Sequence, residues 1–313
     1  MKKIFTAILI AALAAAAFTG CSNGSASNGD TSTTSTASTV ESSVSASASD
    51  DNQEKMTGTV NVVTREEGSG TRDAFTELTG VLEKGSDGTK TDNTYSGAVI
   101  LNGTQAVMSN VAGDKSAIGY ISLGSLDDTV KAVKVEGVEA SAETVKDGSY
   151  KLQRPLNIVT KAEVSEVAQD FIDYIMSAEG QKVVEDNKYV SAATDAKAYS
   201  GSKPSGTITI DGSTSVGPVM EKLKEAYEQV NPNATIQLQT TDSSAGISAA
   251  ISGSCDIGMA SRELKDTETG VEATKIALDG IAVIVSNENT TDDLTIEQIK
   301  KIYTGEVTDW SNI

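Results

Sequence analysis

Three short segments, residues 64–71, 211–215 and 240–246, carry the side chains best suited to chemistry. Each reads as a strand, a Gly/Ser/Thr turn and the start of a helix. A helix N-terminus leaves about four backbone N–H groups unpaired and carries roughly half a positive charge. The hydroxyls of Ser69, Thr71, Ser213, Thr214, Ser215, Ser243 and Ser244 can cap such helices or donate to a ligand. A glycine such as Gly70 lets a ligand approach the backbone closely. Several turns of this kind meeting at one point form an anion site that needs no net positive charge. Arg65 adds one fixed charge, with a planar donor fork suited to a tetrahedral oxyanion. Taken singly, each turn is more often a plain N-cap. Gly68-Ser69-Gly70 is neither a GxGxxG motif nor a P-loop, since no Gly-Lys-Ser/Thr follows it. Three such turns together with an arginine point to oxyanion binding.

The composition narrows the chemistry further. The 313-residue chain has no histidine, which removes Ser-His-Asp and Cys-His catalysis, His-ligated zinc and histidine pH switching. Cys21 and Cys255 are too few for a disulfide framework or a four-cysteine metal site, so neither metal nor cofactor is expected. A nucleophilic Ser69 or Ser215 would need a lysine partner, and none lies at motif spacing to either. The formal net charge of −19 disfavours nucleic acid and anionic lipid head groups as partners.

The elements that must position the turns alternate strand and helix, an α/β pattern of a length that fits two domains. Strands are expected over residues 59–64, 117–121, 207–211, 236–239, 256–260 and 281–285. Helices are expected from residue 71 past Leu78, over 163–176, from Pro218 to Val230, and over 242–251. Thr295-Ile-Glu-Gln298 has capping-box spacing ahead of a helix that stops at Gly305. Residues 201–206 read as a linker. Cys255 reads as a small buried apolar side chain, and Trp310 has no evident ligand role. At the N-terminus, Met1-Lys2-Lys3 and an apolar run over 4–18 give a signal peptide over 1–20. Thr19-Gly20-Cys21 resembles a bacterial lipobox, with Cys21 as the lipidated residue. Residues 21–57 are mostly Ser, Thr, Ala, Asn and Asp, cannot bury enough apolar surface to offset their ordering entropy, and read as a tether.

Four motifs now combine. Thr64-Arg-Glu-Glu-Gly-Ser-Gly-Thr-Arg72, Gly212-Ser-Thr-Ser-Val-Gly-Pro218, Asp256-Ile-Gly-Met-Ala-Ser-Arg-Glu263 and Leu278-Asp-Gly-Ile-Ala-Val-Ile-Val285 resemble the phosphate-binding lipoproteins of bacterial phosphate ABC transporters. The resemblance covers residues 58–313 and implies a two-domain, periplasmic-binding-protein-like clamshell of type II with the ligand in its cleft. The order departs from the family's usual one, with the two halves exchanged. Reading from Trp310-Ser-Asn-Ile313 into Gly58 restores it, so the chain looks circularly permuted, residues 191–206 joining the old ends; a fragment of a tandem array is the rival account. The resemblance implies one domain over 58–125 plus 286–313 and a second over 126–285. It assigns phosphate to Arg65, Ser69, Gly70, Thr71, Thr214, Ser215, Ser243 and Ser261, with Ser213, Ser244, Arg262 and Asp73 as further candidates. Ser261 falls where many relatives carry an aspartate that accepts the proton of hydrogen phosphate; Asp73 or Glu66 is then a candidate acceptor, with a solvated or capping acid as the alternative reading of each. The expected function is phosphate capture and delivery to a membrane permease, by a monomer that is lipid-anchored to the outer face of the cell membrane and is not an enzyme. Binding of sulfate or molybdate, and a phosphate-sensing surface lipoprotein without a transport role, stay open as alternatives.

Overall fold

In the computed structural model, which describes residues 55–313, the chain first runs β1 (Asn61–Arg65), α1 (Gly70–Thr79), β2 (Leu82–Lys84), β3 (Lys90–Asp92), β4 (Val99–Leu101), α2 (Thr104–Gly113) and β5 (Ala117–Ser122). Then follow β6 (Lys131–Val135), α3 (Ala142–Lys146), β7 (Gln153–Thr160), α4 (Glu166–Ile175), α5 (Ala178–Asp186), β8 (Val190–Ser191) and β9 (Gly206–Ser213). The last stretch holds α6 (Gly217–Val230), β10 (Ala234–Thr241), α7 (Ser243–Ser252), β11 (Ile257–Ala260), β12 (Glu272–Val285), β13 (Asp293–Leu294) and α8 (Ile296–Thr304). The signal peptide, Cys21 and nearly all of the tether lie outside the described residues.

Eleven strands form one mixed sheet, ordered β10-β9-β11-β7-β12-β5-β1-β4 with β6, β8 and β13 attached off that path. Strand β12 makes two lobes of it. Residues 272–280 pair with β7, while Ile281–Val285 pair with β5 and β6. The run Ile281-Ala-Val-Ile-Val285 is wholly buried, as a central strand covered on both faces requires. One hydrophobic core gathers side chains of β1, α1, α2, β5, β6, α8 and the end of β12. The other gathers those of β7, α4, β9, α6, β10 and β11.

The division between lobes differs from the expected one. Val130, Val133, Val135, Val145, Tyr150 and Leu152 pack in the first core, because β6 pairs with residues 283–285 of β12 and, in parallel, with β13. Residues 126–152 therefore belong with the first lobe, and the chain crosses near residues 152–153 and 280–281 rather than at 125 and 285. The capping box of α8 forms as its spacing predicts, and Gly305 closes that helix at a φ of 79°. Residues 192–205 form no helix or strand. They are pinned by buried Asp170, which accepts from Tyr199 Oη at 2.5 Å and from Ser202 N at 2.9 Å. Residues 58–60 and 308–310 lie side by side, with Val60 N donating to Thr308 O at 2.9 Å and Trp310 N to Gly58 O at 2.8 Å. Cys255 is buried as expected, and burial pushes its thiol up to about 11.

Candidate functional site

Arg65 ends β1 and is 2% exposed. Tyr120, stacked on Phe75 with ring centroids 3.9 Å apart, places its hydroxyl 2.8 Å from Thr64 Oγ1 and accepts from Arg65 N at 3.2 Å. A buried aromatic cluster thus fixes the strand end from which the guanidinium projects. Glu66 accepts from Arg65 Nε and Nη2, both at 2.7 Å, and its Oε2 also accepts from Gly103 N at 3.2 Å. Burial alone would raise the Glu66 carboxyl, but the hydrogen bonds and charge of Arg65 outweigh it and hold the group below its usual range. Arg65 Nη2 reaches across the cleft to Thr214 Oγ1 at 3.1 Å. Its Nη1 is buried and has no hydrogen-bond partner.

The three turns meet at this point and a fourth joins them. Thr71 Oγ1 lies 2.7 Å from Ser215 Oγ. Thr104, at the start of α2, lies 3.3 Å from Thr214 Oγ1 and 3.5 Å from Ser215 Oγ. Ser213 Oγ donates to Ser261 Oγ at 3.0 Å; Ser243 Oγ lies 3.3 Å from Ser261 Oγ and accepts from Ser261 N at 3.0 Å. Capping is arranged so that these hydroxyls stay available. Asp242 caps α7, which leaves Ser243 to the cleft, and α6 and α2 begin without a side-chain cap. Ser69 is the exception: it caps α1, accepting from Arg72 N at 3.3 Å. A Cβ on Gly70 would stand 2.5 Å from Ser243 Oγ and 2.7 Å from Ser261 Oγ, so a glycine is what lets the lobes meet there.

Arg262, Ser244 and Asp73 form a separate clasp. Arg262 donates to Glu268 at 2.8 and 2.7 Å and to Ser244 Oγ at 3.0 Å, while its Nε lies 3.1 Å from Asp73 Oδ2 on the opposite lobe. Lys265 Nζ lies 2.8 Å from the same Asp73 oxygen. Ser244 N donates to Gly68 O at 3.2 Å, also across the cleft. Asp73 and Glu66, the two candidate proton acceptors, are thus both engaged by cations.

Sequence reasoning missed Arg154, Asp279 and Thr104. Arg154 Nη1 donates to Thr71 Oγ1 at 2.7 Å and to Ser261 O at 3.1 Å, and its Nη2 donates to Asp279 Oδ2 at 3.2 Å. Asp279 also accepts from Ser122 Oγ at 2.8 Å and Gly124 N at 3.4 Å. Burial raises the Asp279 carboxyl against these partners. The available signal was an arginine and an aspartate each embedded in an apolar strand. Thr104 follows Gly103 at a helix start, the same design as the other turns.

Among the described residues, no general base bonds to any hydroxyl of the ring formed by Thr71, Thr104, Ser213, Thr214, Ser215, Ser243 and Ser261. Nor is any group of Cys, Asp and Glu placed to hold a metal ion. The ring is a set of hydroxyls bonded by two guanidinium groups, Arg65 at Thr214 and Arg154 at Thr71, an arrangement suited to holding an anion.

Comparison with known proteins agrees with this geometry. The profile of the PBP superfamily domain matches residues 49–179 and 197–312. The chain is 50% identical over 273 residues to the phosphate-binding protein PstS 2 of Streptococcus agalactiae, covering 86% of this chain and 93% of that protein. It is 48% identical over 262 residues to phosphate-binding protein PstS 2 of Streptococcus pneumoniae, covering 83% and 90%. The crystal structure of a phosphate-binding protein of a phosphate ABC transporter from Streptococcus pneumoniae is similar at a TM-score of 0.66 and 49% identity, over 82% of this chain and all of that one. A PBP-type fold with mixed α/β lobes, aligned over nine-tenths of proteins half identical to it, means that the chain belongs to the phosphate-binding protein (PstS) family.

Proposed function

We propose that this chain captures inorganic phosphate between its lobes and delivers it to the permease of an ABC transporter. The observation that carries the reading is Arg65 Nη1, a buried cationic donor without a partner, on the guanidinium whose Nη2 bonds Thr214, where the hydroxyls at the starts of α1, α2, α6 and α7 gather. Phosphate would exchange the mutual bonds of Thr71, Thr214, Ser215, Ser243 and Ser261 for bonds to its oxygens, with Ser213 and Thr104 adding to the set. The turn at Ser69 and Gly70 supplies the helix start. Donors aimed at an oxyanion where water is excluded act with little screening. Hinge closure about the two crossings then presents the loaded form to the permease.

The reading carries further parts. The protein works outside the cytoplasm, held at the membrane through Cys21, as a monomer and without catalytic turnover. The adjacency of residues 58–60 and 308–310 supports a circularly permuted order relative to the family's usual one, since joining them needs no rearrangement. One observation favours a second ligand: Glu66, Asp73 and Asp279 are each committed to a cation and Asp242 to the cap of α7, so sulfate, which brings no proton to be accepted, fits the same donors. Calorimetric titration of phosphate, with and without competing sulfate, separates the two. Arg65→Ala removes a charged donor worth roughly 1.5–3 kcal/mol, so phosphate affinity should fall about tenfold to more than a hundredfold. An unchanged affinity refutes the assignment.

A further inference from the structure

We infer that Arg154 is a positioning residue: acting through Thr71, it turns the hydroxyl chain of the cleft to donate, and so makes the site prefer the more highly charged form of its oxyanion. The inference rests on the phosphate reading. Arg154 lies at the start of β7, is 3% exposed, and bonds across the cleft to Thr71 of α1 at 2.7 Å. Its other arm is tied to Asp279 of β12, beside the point where that strand passes between lobes. A guanidinium has donors only. The Thr71 oxygen therefore receives a proton from Arg154, and its own proton must go to Ser215 Oγ at 2.7 Å or to a ligand. Where Ser215 receives that proton, it gives its own to Thr104 or to the ligand. Without Arg154 each hydroxyl is free to reverse and accept. A chain fixed in the donating sense suits bare oxygens, of which hydrogen phosphate has one more than dihydrogen phosphate.

The charged and titratable groups around Arg154 are Asp279 on β12, Arg65 on β1 and Tyr189 just before β8. Burial keeps the Tyr189 phenol protonated. Asp279 is the neighbour whose own titration could mimic the effect, so the test must hold it constant in one variant and remove it in another.

Phosphate affinity is measured by calorimetry at about pH 5.5 and about pH 8, on either side of the second ionisation of phosphate, for three proteins. These are the natural chain, the double variant Arg154→Met/Asp279→Asn, which leaves no unpaired buried ion, and Thr71→Val, which keeps the ion pair and removes the relay. The natural chain should bind more tightly at the higher pH. Both variants should lose about tenfold or more in affinity at that pH, as expected for a lost charge-assisted bond, and less at the lower, so that the ratio between the two affinities shrinks. Simple loosening of the site lowers both affinities alike and keeps the ratio. A natural chain whose affinity is the same at both pH values, or a folded Thr71→Val variant that keeps the natural ratio, overturns the inference; Thr71→Val is read alone if the double variant does not fold. Absence of phosphate binding by the natural chain at both pH values overturns the phosphate reading instead.

Discussion

Gly70→Ala tests whether the two lobes must touch for the ligand to be held. Gly70 is the first residue of α1 and does not have a positive φ, so alanine meets no backbone strain there. Within the first lobe the change is favourable, since alanine in a helix is worth up to about 1 kcal/mol over glycine. The obstacle comes from the other lobe. The new methyl would lie 2.5 Å from Ser243 Oγ, 2.7 Å from Ser261 Oγ and 3.0 Å from the Ser261 carbonyl carbon. The two hydroxyls can rotate away, but only by leaving the ring, and the carbonyl carbon, about 0.4 Å inside ordinary contact, cannot. The lobes would stop short, and one or two of the bonds contributed by Ser243 and Ser261 would be lost. At roughly 1.5–2 kcal/mol each, the loss is ~1.5–4 kcal/mol, or about 10- to 1,000-fold in phosphate affinity. Calorimetry gives the affinity, and thermal unfolding without phosphate gives the stability. The expected pair of results is much weaker binding with an unchanged or raised Tm. A variant that binds within about threefold of the natural chain refutes the claim that closure at Gly70 completes the site.

Glu66→Gln tests the acid side. Glu66 is held below its usual value of 4.5 in the folded protein, so its contribution to stability is fully present above that value and is lost as pH falls through the lower, folded value; the Tm deficit of the variant should therefore be clear at pH 6 and should shrink as pH drops below 4.5. Thr295→Ala removes the N-cap of α8, which accepts from Gln298 N at 3.1 Å, and should cost about 1 kcal/mol in denaturant unfolding with no change in phosphate affinity, because the helix end lies outside the ring.

Much of this was legible in the sequence, for identifiable reasons. The turns at residues 68–71, 212–215 and 242–246 announce themselves through recurrence: one glycine and hydroxyl junction is usually a plain N-cap, whereas three in one chain beside an arginine point to a shared site. Arg65 stands beside one of them. What could not be read is what depends on pairing between distant strands. Arg154 and Asp279 stand 125 positions apart, and nothing local says that β7 and β12 run side by side with Asp279 opposite Arg154. The lobe boundary moved for the same reason, since β6 is drawn into the first lobe by its register with residues 283–285. The first part of β12, residues 272–280, lacks the apolar run that marks its second part, and only its ladder with β7 makes it a strand.

The three arginines at the cleft share a feature that bears on how an acidic protein holds an anion. Each carries its own carboxylate: Glu66 for Arg65, Asp279 for Arg154 and Glu268 for Arg262. In formal charge the cleft is therefore close to neutral, inside a chain of net charge −19. Long-range attraction cannot be the source of binding, because the surface field is unfavourable and is screened within about 8–10 Å at ordinary salt. The carboxylates do different work. They orient the guanidinium groups and offset the cost of burying them, which is several kcal/mol per unpaired ion. On the proposed reading, binding depends on short-range donors that the two lobes bring together: the Arg65 fork, the hydroxyls and the helix starts. On the same reading, selectivity would follow from this arrangement: an anion too large for the ring would keep the lobes apart, and one with too many protons would face donors where it needs acceptors.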